Sequence, residues 1–255
     1  MKRYDAVKCV SNAILQDDLV EAIFLKGSIA RNEDDDYSDV DMYAVVSTEN
    51  TDTFLKKRIQ YMEEYMPLIY WSESNFVGPQ IVGVYENALH FDLYMVHADT
   101  IPQTDSIKII YDKNGILESY KQQTLNILPP TITKQLDEFS FTLLEFEIAY
   151  TRKDLIWAIR LFNHELTAVS MFLRFIYDED NSLMVLKGLY KVIPQDIYDE
   201  YLDILENATP TNILSAMKKL LSLADKTIQK LPEALTSPMN KVFFDFMRNR
   251  INGLM

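Results

Sequence analysis

The feature that most constrains the fold of this chain is a change in hydrophobic periodicity at Pro129-Pro130. Before this point, apolar and polar residues mainly alternate, which is typical of half-buried β-strands. After it, apolar residues recur every three or four positions from Thr133 to Tyr177, which predicts helical structure. We therefore expect an α+β domain over residues 1–130, followed by an all-helical bundle over residues 131–255.

Short segments with period-two patterning predict the strands of the first part. These segments are residues 22–25, 40–46, 81–85, 89–96 and 107–111. The third and fourth are separated by three residues, which predicts a hairpin. Residues 53–65 have helical spacing. In the second part, Thr209-Pro210 and Ser237-Pro238 each place a capping hydroxyl before a proline, which is a helix-start signal.

Composition excludes several classes of protein. Of the 255 residues, 48% are hydrophobic and 25% are charged, the balance of a globular protein rather than a disordered one. No apolar run approaches the roughly 20 residues that cross a bilayer, and no apolar stretch of signal-peptide length follows the first residues. We therefore expect a cytoplasmic protein with no membrane partner. The lone Cys9 allows neither an internal disulfide nor a thiolate zinc site.

The charge of the chain narrows the choice of partner. The net charge is −13, and the first 100 residues carry eight basic and 18 acidic side chains. Binding to a nucleic-acid backbone needs a basic face, so nucleic acid is not expected as a partner. The acidic surplus suits divalent metal ions or a cationic small molecule, although surplus carboxylates also simply keep proteins soluble.

One group of residues is a candidate catalytic site: Gly27-Ser28, then ten residues, then Asp39-Val40-Asp41. Residues i and i+2 of a strand point to the same face, so these two carboxylates are expected side by side. Like charges so placed repel each other, and Mg²⁺, which prefers oxygen ligands, relieves that repulsion. Asp92 stands between apolar residues on another predicted strand. If the two strands are neighbours, all three acids come together.

Gly27-Ser28 supplies a second part of such a site. Glycine lets the backbone turn tightly and approach a ligand, and the serine hydroxyl with nearby backbone amides can hold phosphate oxygens. With three acids on two strands, this set is typical of two-metal phosphoryl or nucleotidyl transfer. Arg31 is near enough in sequence to reach the same phosphates, or else to pair with an acid such as Asp34.

Four further residues, two of them tyrosines, lie beside these motifs. Lys26 is expected to be solvated. His90 shares a strand face with Asp92, so it can border the site. Tyr43 and Tyr94 lie on the acid-bearing faces, where an aromatic ring can stack on a base.

This set of motifs resembles the signature of the DNA polymerase β-like nucleotidyltransferase superfamily. Within it, the chain is similar to the antibiotic nucleotidyltransferases of the lincosamide nucleotidyltransferase and aminoglycoside adenylyltransferase type. The narrower resemblance rests on residues 37–43, 109–118 and 151–155. It implies that residues 1–130 form a nucleotidyltransferase catalytic domain with a small mixed β-sheet and flanking helices.

The resemblance also implies an activity and a set of site residues. ATP would be the nucleotide substrate and Mg²⁺ the cofactor, and AMP would pass to a hydroxyl of a small-molecule antibiotic with release of pyrophosphate. The residues implied as catalytic and metal-binding are Asp39, Asp41 and Asp92, and those implied as nucleotide-binding are Gly27, Ser28 and Arg31. A homodimer is compatible with the apolar, aromatic helical half.

Two alternatives stay open on the sequence alone. The first is a nucleotidyltransferase that acts on a protein or on another metabolite. The second is a non-catalytic, antitoxin-like binding protein on the same scaffold, which would have no need to hold three like charges together. A P-loop kinase is excluded because Gly-x-x-x-x-Gly-Lys-Ser/Thr is absent from the sequence.

Overall fold

The computed structural model describes residues 2–255, so Met1, the first residue of the predicted catalytic domain, lies outside the described residues. The chain divides into two compact units. The first ends at Thr124 and the second begins at Leu125. In the part of the chain that the structure describes, no helix is long and apolar enough to span a membrane.

The first unit contains a mixed sheet with helices, as expected from the sequence, and the sheet has six strands where five were predicted. Its elements in chain order are helix α1 (Lys2–Leu15), strand β1 (Val20–Lys26), the short helix α2 (Gly27–Arg31), β2 (Val40–Val46), α3 (Thr51–Glu63), β3 (Leu68–Asn75), β4 (Pro79–Tyr85), β5 (His90–Val96) and β6 (Lys108–Asp112). The strand order is β3-β4-β5-β2-β1-β6. Strands β2 and β5 run parallel, and the other neighbouring pairs are antiparallel.

The two faces of this sheet have different cores. On one face, Val40, Met42 and Ala44 of β2 belong to a large apolar cluster that includes residues of α1 and α3. On the other face, Tyr43 and Val45 belong to a smaller apolar cluster. Because side chains alternate along a strand, Asp41 shares the second face, away from α1 and α3.

The second unit is helical and has a single large cluster of buried apolar residues. Its helices are α4 (Pro129–Thr151), α5 (Leu155–Tyr177), α6 (Gln195–Glu206), α7 (Ile213–Ile228), α8 (Glu233–Thr236) and α9 (Lys241–Gly253). Helix α5 packs against both α4 and α7. The prediction of a helical second half is confirmed.

The helical structure predicted over residues 133–177 consists of two helices, and the two expected proline starts in this unit were wrong. The helical pattern over residues 133–177 is interrupted at Lys153, which has a φ of +60°, and α5 restarts with Asp154 as N-cap, whose side chain accepts from the Trp157 amide at 3.2 Å. Neither expected proline start opens a helix. Helix α7 begins at Ile213, beyond Thr209-Pro210, and α9 begins at Lys241, beyond Ser237-Pro238. The prolines lie in the turns that precede these helices.

Three elements of the first unit were not predicted, namely α1, the short helix α2 and β3. Strand β3 is an edge strand, and most of its side chains are exposed on both faces. Tyr70 and Trp71, for example, are half exposed although they are consecutive. A strand without one buried face lacks the alternation by which strands are detected.

Candidate active site

The fold brings two of the predicted acids into direct register. Strands β2 and β5 are parallel neighbours, and Asp41 is the Cα partner of Asp92. Asp39 lies one residue before β2. Asp92 is buried, whereas Asp39 and Asp41 are half-buried. The expectation that these strands are neighbours is therefore confirmed, and the carboxylates lie at the same end of the two strands.

The His90 ring lies between the carboxylates of Asp39 and Asp92. Its Nε2 lies 3.0 Å from Asp92 Oδ1, and its Nδ1 lies 3.8 Å from Asp39 Oδ2. The hydrogen bond with Asp92 raises the pKa of the His90 imidazole, and partial burial opposes this shift. His90 therefore does border the site, with its ring between two of the carboxylates.

The Gly27-Ser28 turn directly adjoins Asp41. Strand β1 pairs with β2 so that Lys26 is the Cα partner of Asp41, and Gly27 follows at once as the first residue of α2. Gly27 has a φ of +67°, in the left-handed region that favours glycine. A Cβ on Gly27 would overlap the Asp41 carboxylate oxygen Oδ2. The absence of a side chain is what lets the turn and the carboxylate approach each other.

Lys26 is buried, so the expectation of a solvated side chain was wrong. Its Nζ donates to the carbonyl oxygen of Pro102 at 2.8 Å and to that of Thr104, and it lies 3.4 Å from the Tyr120 hydroxyl. Burial lowers the pKa of the Lys26 amine to about 8, and the charges of Asp105 and Asp41 oppose this shift. Nothing in the local sequence signals these contacts, because their partners are more than 70 residues away.

Arg31 is held by acids, but not by the one expected. Its Nε lies 2.8 Å from Glu33 Oε2, and its terminal nitrogen lies 2.5 Å from Asp105 Oδ2. Asp34 instead pairs with Arg3 at 2.5 Å. The guanidinium thus lies at the end of α2, the helix that begins at the Gly27-Ser28 turn.

Tyr43 and Tyr94 are the next cross-strand pair after Asp41 and Asp92 on the same face of the sheet. Their rings stack on each other. Their ring centroids are 4.3 Å apart, and Phe24 stacks on Tyr43 at 5.0 Å. Both tyrosines are buried in the smaller apolar cluster. They form an aromatic layer beside the acids and do not present a ring face on which a base could stack.

The donor chemistry at this site fits a hard divalent cation. Asp39, Asp41 and Asp92 offer carboxylate oxygens, which Mg²⁺ prefers, and the bare Cα of Gly27 lets the Asp41 carboxylate lie against the turn. Over residues 2–255, however, no three His, Cys, Asp or Glu side chains are already arranged to hold a metal ion. The acids together with the turn form a set that can bind a cation and phosphate groups after their side chains adjust.

Comparison with known proteins gives a family model that matches most of the chain. The model of the streptomycin adenylyltransferase family matches residues 2–243. Aminoglycoside nucleotidyltransferases (4′) from Staphylococcus aureus and from a Bacillus species are each 31% identical over 110 residues, which is 43% of this chain. That alignment spans 39% of the length of these relatives.

Two solved structures resemble the chain over nearly its whole length at low identity. An aminoglycoside 6-adenyltransferase from Bacillus subtilis is 12% identical, with 98% of this chain and 96% of that one covered and a TM-score of 0.41. A spectinomycin adenyltransferase from Enterococcus faecialis, solved with ATP and spectinomycin, is 14% identical, with coverage of 98% and 99% and a TM-score of 0.35.

Proposed function

The chain belongs to the streptomycin adenylyltransferase family, and we propose that it transfers AMP from ATP to a hydroxyl of a small-molecule antibiotic, with Mg²⁺ as cofactor and pyrophosphate as the second product. The observation that carries this proposal is the Asp41–Asp92 pair beside the Gly27-Ser28 turn. The family description and the curated relatives favour an aminoglycoside acceptor over a lincosamide. We place the catalytic domain in residues 1–130.

Asp39, Asp41 and Asp92 are the residues that would hold Mg²⁺. When bound, the cation would neutralise charge on the phosphate oxygens of ATP and on the attacking and leaving oxygens. Asp41 and Asp92 suit this role because the register of β2 and β5 holds them side by side.

Gly27 and Ser28 bind the nucleotide phosphates in this proposal. The bare Cα of Gly27 allows a phosphate to approach the backbone, and the Ser28 hydroxyl can donate to a phosphate oxygen. Arg31 is the third nucleotide-binding residue. It now pairs with Glu33 and Asp105, so contact with a phosphate means sharing or exchanging one of these carboxylates.

Asp92 is the residue we propose as general base. Its carboxylate accepts the proton of the antibiotic hydroxyl while that oxygen attacks the α-phosphorus of ATP. The bond from the α-phosphorus to the bridging oxygen breaks, and pyrophosphate leaves. His90, at 3.0 Å from Asp92 Oδ1, orients the carboxylate for this transfer.

The acceptor that suits this chain best is cationic. The first 100 residues carry 18 acidic and eight basic side chains, and such a field attracts cations. Aminoglycosides are polyamines, so they fit this charge. A homodimer is a further proposal, and the molecular mass of the protein in solution tests it.

The activity is tested by incubating the purified protein with Mg²⁺, α-labelled ATP and separate pools of aminoglycosides and lincosamides. The Asp39→Asn/Asp41→Asn double variant serves as the blank. We expect label to move to one or more aminoglycosides with the wild-type protein only.

Other outcomes of this assay would change the proposal. Label on protein or on a metabolite in a cell extract, but on no drug, would favour a different acceptor for the same chemistry. If the protein shows no transfer and no Mg²⁺-dependent ATP binding, the enzyme assignment is overturned. A binding protein on this scaffold is then the remaining hypothesis.

A further inference from the structure

A loop far away in sequence is attached to the end of β1 and to α2. This segment, residues 101–106, is called the 101–106 loop below. The Lys26 ammonium donates to two of its carbonyl oxygens, those of Pro102 and Thr104. One residue further on, Asp105 pairs with Arg31 at 2.5 Å. Two cations on either side of Gly27-Ser28 therefore hold the same loop.

The loop is also held by Tyr120, whose hydroxyl lies 3.4 Å from the Lys26 ammonium, and by Gln123. The Tyr120 hydroxyl donates to the Asp105 carbonyl oxygen at 2.6 Å. The backbone of Gln123 exchanges hydrogen bonds with the loop, accepting from the Asp105 amide and donating to the Gln103 carbonyl, each at 2.8 Å. The Lys26 ammonium and the Tyr120 hydroxyl therefore hold the same stretch of the loop, at Thr104 and Asp105.

Asp105 has a backbone conformation that needs such support. Its φ is +70°, which is uncommon for residues other than glycine, although aspartate tolerates it better than most. One carboxylate oxygen accepts from the Ser106 amide at 2.7 Å, and the other pairs with Arg31. Conformations of this kind persist only where the surroundings determine them. Hydrogen bonds on both sides of residue 103 come from the same ammonium group, that of Lys26.

A buried ammonium group at this position is costly unless nearby charges and acceptors compensate it. The carbonyl oxygens of the loop provide acceptors, and the carboxylates of Asp105 and Asp41 provide opposite charge. Lys26 is thus tied both to the loop and to the carboxylate row on the sheet. An uncharged side chain of similar length would keep the packing but lose both ties.

We infer that Lys26 is a positioning residue of the nucleotide site. By fixing the 101–106 loop, Lys26 holds Asp105 against Arg31, the last residue of the helix that begins at Gly27. The inference rests on the proposed function, in which Arg31 meets the polyphosphate of ATP. Lys26 acts on the substrate through the loop and touches no reacting atom.

The test compares four variants with the wild-type protein. Lys26→Met removes the charge, Lys26→Arg keeps it, Asp105→Asn weakens the hold on Arg31, and Lys57→Met removes a half-exposed lysine that pairs with Asp17 at 2.9 Å. We expect Lys26→Met and Asp105→Asn each to raise the KM for ATP about tenfold while kcat changes less than about twofold. Lys26→Arg should recover part of the loss, and Lys57→Met should match the wild type.

Because Lys26 and Asp105 act in series in this inference, the Lys26→Met/Asp105→Asn double variant should be no worse than the weaker-binding single variant. Additive effects on the KM for ATP would overturn the inference. A fall in kcat with an unchanged KM would overturn it as well.

Amide hydrogen exchange over residues 101–106 separates this inference from the proposed function. It is measured on the protein without nucleotide. We expect faster amide exchange of this loop in Lys26→Met than in the wild type and in Lys57→Met. The melting temperatures of the three proteins should be equal. Should the wild-type protein transfer no label, the proposed function fails, while unchanged exchange in Lys26→Met would overturn the positioning role.

Discussion

At Gly27, two separate constraints act on one residue. The φ of +67° penalises any L-side chain, and a Cβ would also overlap the Asp41 carboxylate. We expect Gly27→Ala to cost about 1–2 kcal/mol of folding stability from the backbone alone. We also expect it to lower the transfer rate at least about 100-fold, because the displaced carboxylate belongs to the proposed catalytic set. Initial rates with labelled ATP and urea unfolding measure the two effects.

Gly188 provides a matched control for this substitution. It has nearly the same backbone angle, a φ of +68°, but nothing lies within 4 Å of a Cβ built there. Gly188→Ala should therefore show a similar loss of stability with an unchanged transfer rate. Equal loss of rate in both variants would mean that the contact between Gly27 and Asp41 has no special role.

At the scale of elements, the α4–α5 pair contains a carboxyl group that the proposed mechanism does not use. Glu165 of α5 is fully buried. Its nearest polar neighbours include His164, whose Nδ1 lies 3.6 Å from Glu165 Oε1, and Thr142 of α4. Burial raises the pKa of Glu165 to about 7. In the folded protein, this side chain therefore stays protonated to higher pH than in the unfolded chain.

The sign of the pH dependence follows from that shift. A group with a raised folded-state pKa contributes stability at low pH, and this contribution is lost as the pH rises through the folded pKa. His164, whose pKa is raised mainly by the Glu165 carboxyl group 3.6 Å away, acts in the same direction. Among the charges around the pair, Glu138 supports the raised pKa of His164, and Arg160 opposes it.

We expect the free energy of unfolding to fall by up to about 3 kcal/mol between pH 5 and pH 8.5 because of this pair. Glu165→Gln cannot ionise, so it should flatten the profile. Urea unfolding at several pH values measures the effect. An equally steep profile in Glu165→Gln would show that Glu165 is not the group responsible.

Burial decided which strands could be predicted from the sequence. Strand β2 was predicted with its observed bounds, Val40–Val46, because one of its faces meets a large core while Asp41 lies on the other. The same alternation placed Asp92 correctly on β5. Strand β3 was missed because most of its side chains are exposed, so burial imposes no pattern on it.

Contacts over long sequence distances account for the part of the site that was not predicted. The order of strands in the sheet cannot be read from local sequence patterns. Whether β2 and β5 are neighbours therefore could not be predicted from the sequence. Lys26 and Arg31 are bound by residues of the 101–106 loop, and Arg31 and Asp105 are 74 positions apart. A lysine or arginine beside a turn looks the same in sequence whether it is solvated or buried.

At the scale of the whole molecule, the uneven charge predicts a salt effect. Most of the net charge of −13 comes from the first 100 residues, and salt screens such a field. We expect the KM for an aminoglycoside to rise several-fold between about 50 and 500 mM NaCl, because screening shortens the field to a few ångströms. The KM for ATP, an anion, should not rise in parallel. Initial rates over both substrates test this, and equal salt effects would contradict it.

The central claim is that the acids of β2 and β5 catalyse nucleotidyl transfer, and the most direct test is the rate of label transfer from ATP in Asp41→Asn. The matched control is Asp36→Asn, which changes an acid whose side chain is 91% exposed in the loop before β2. We expect Asp41→Asn to lose at least about 100-fold of the wild-type rate and Asp36→Asn to stay within about twofold of it. A folded Asp41→Asn protein that transfers label at the wild-type rate would contradict the account.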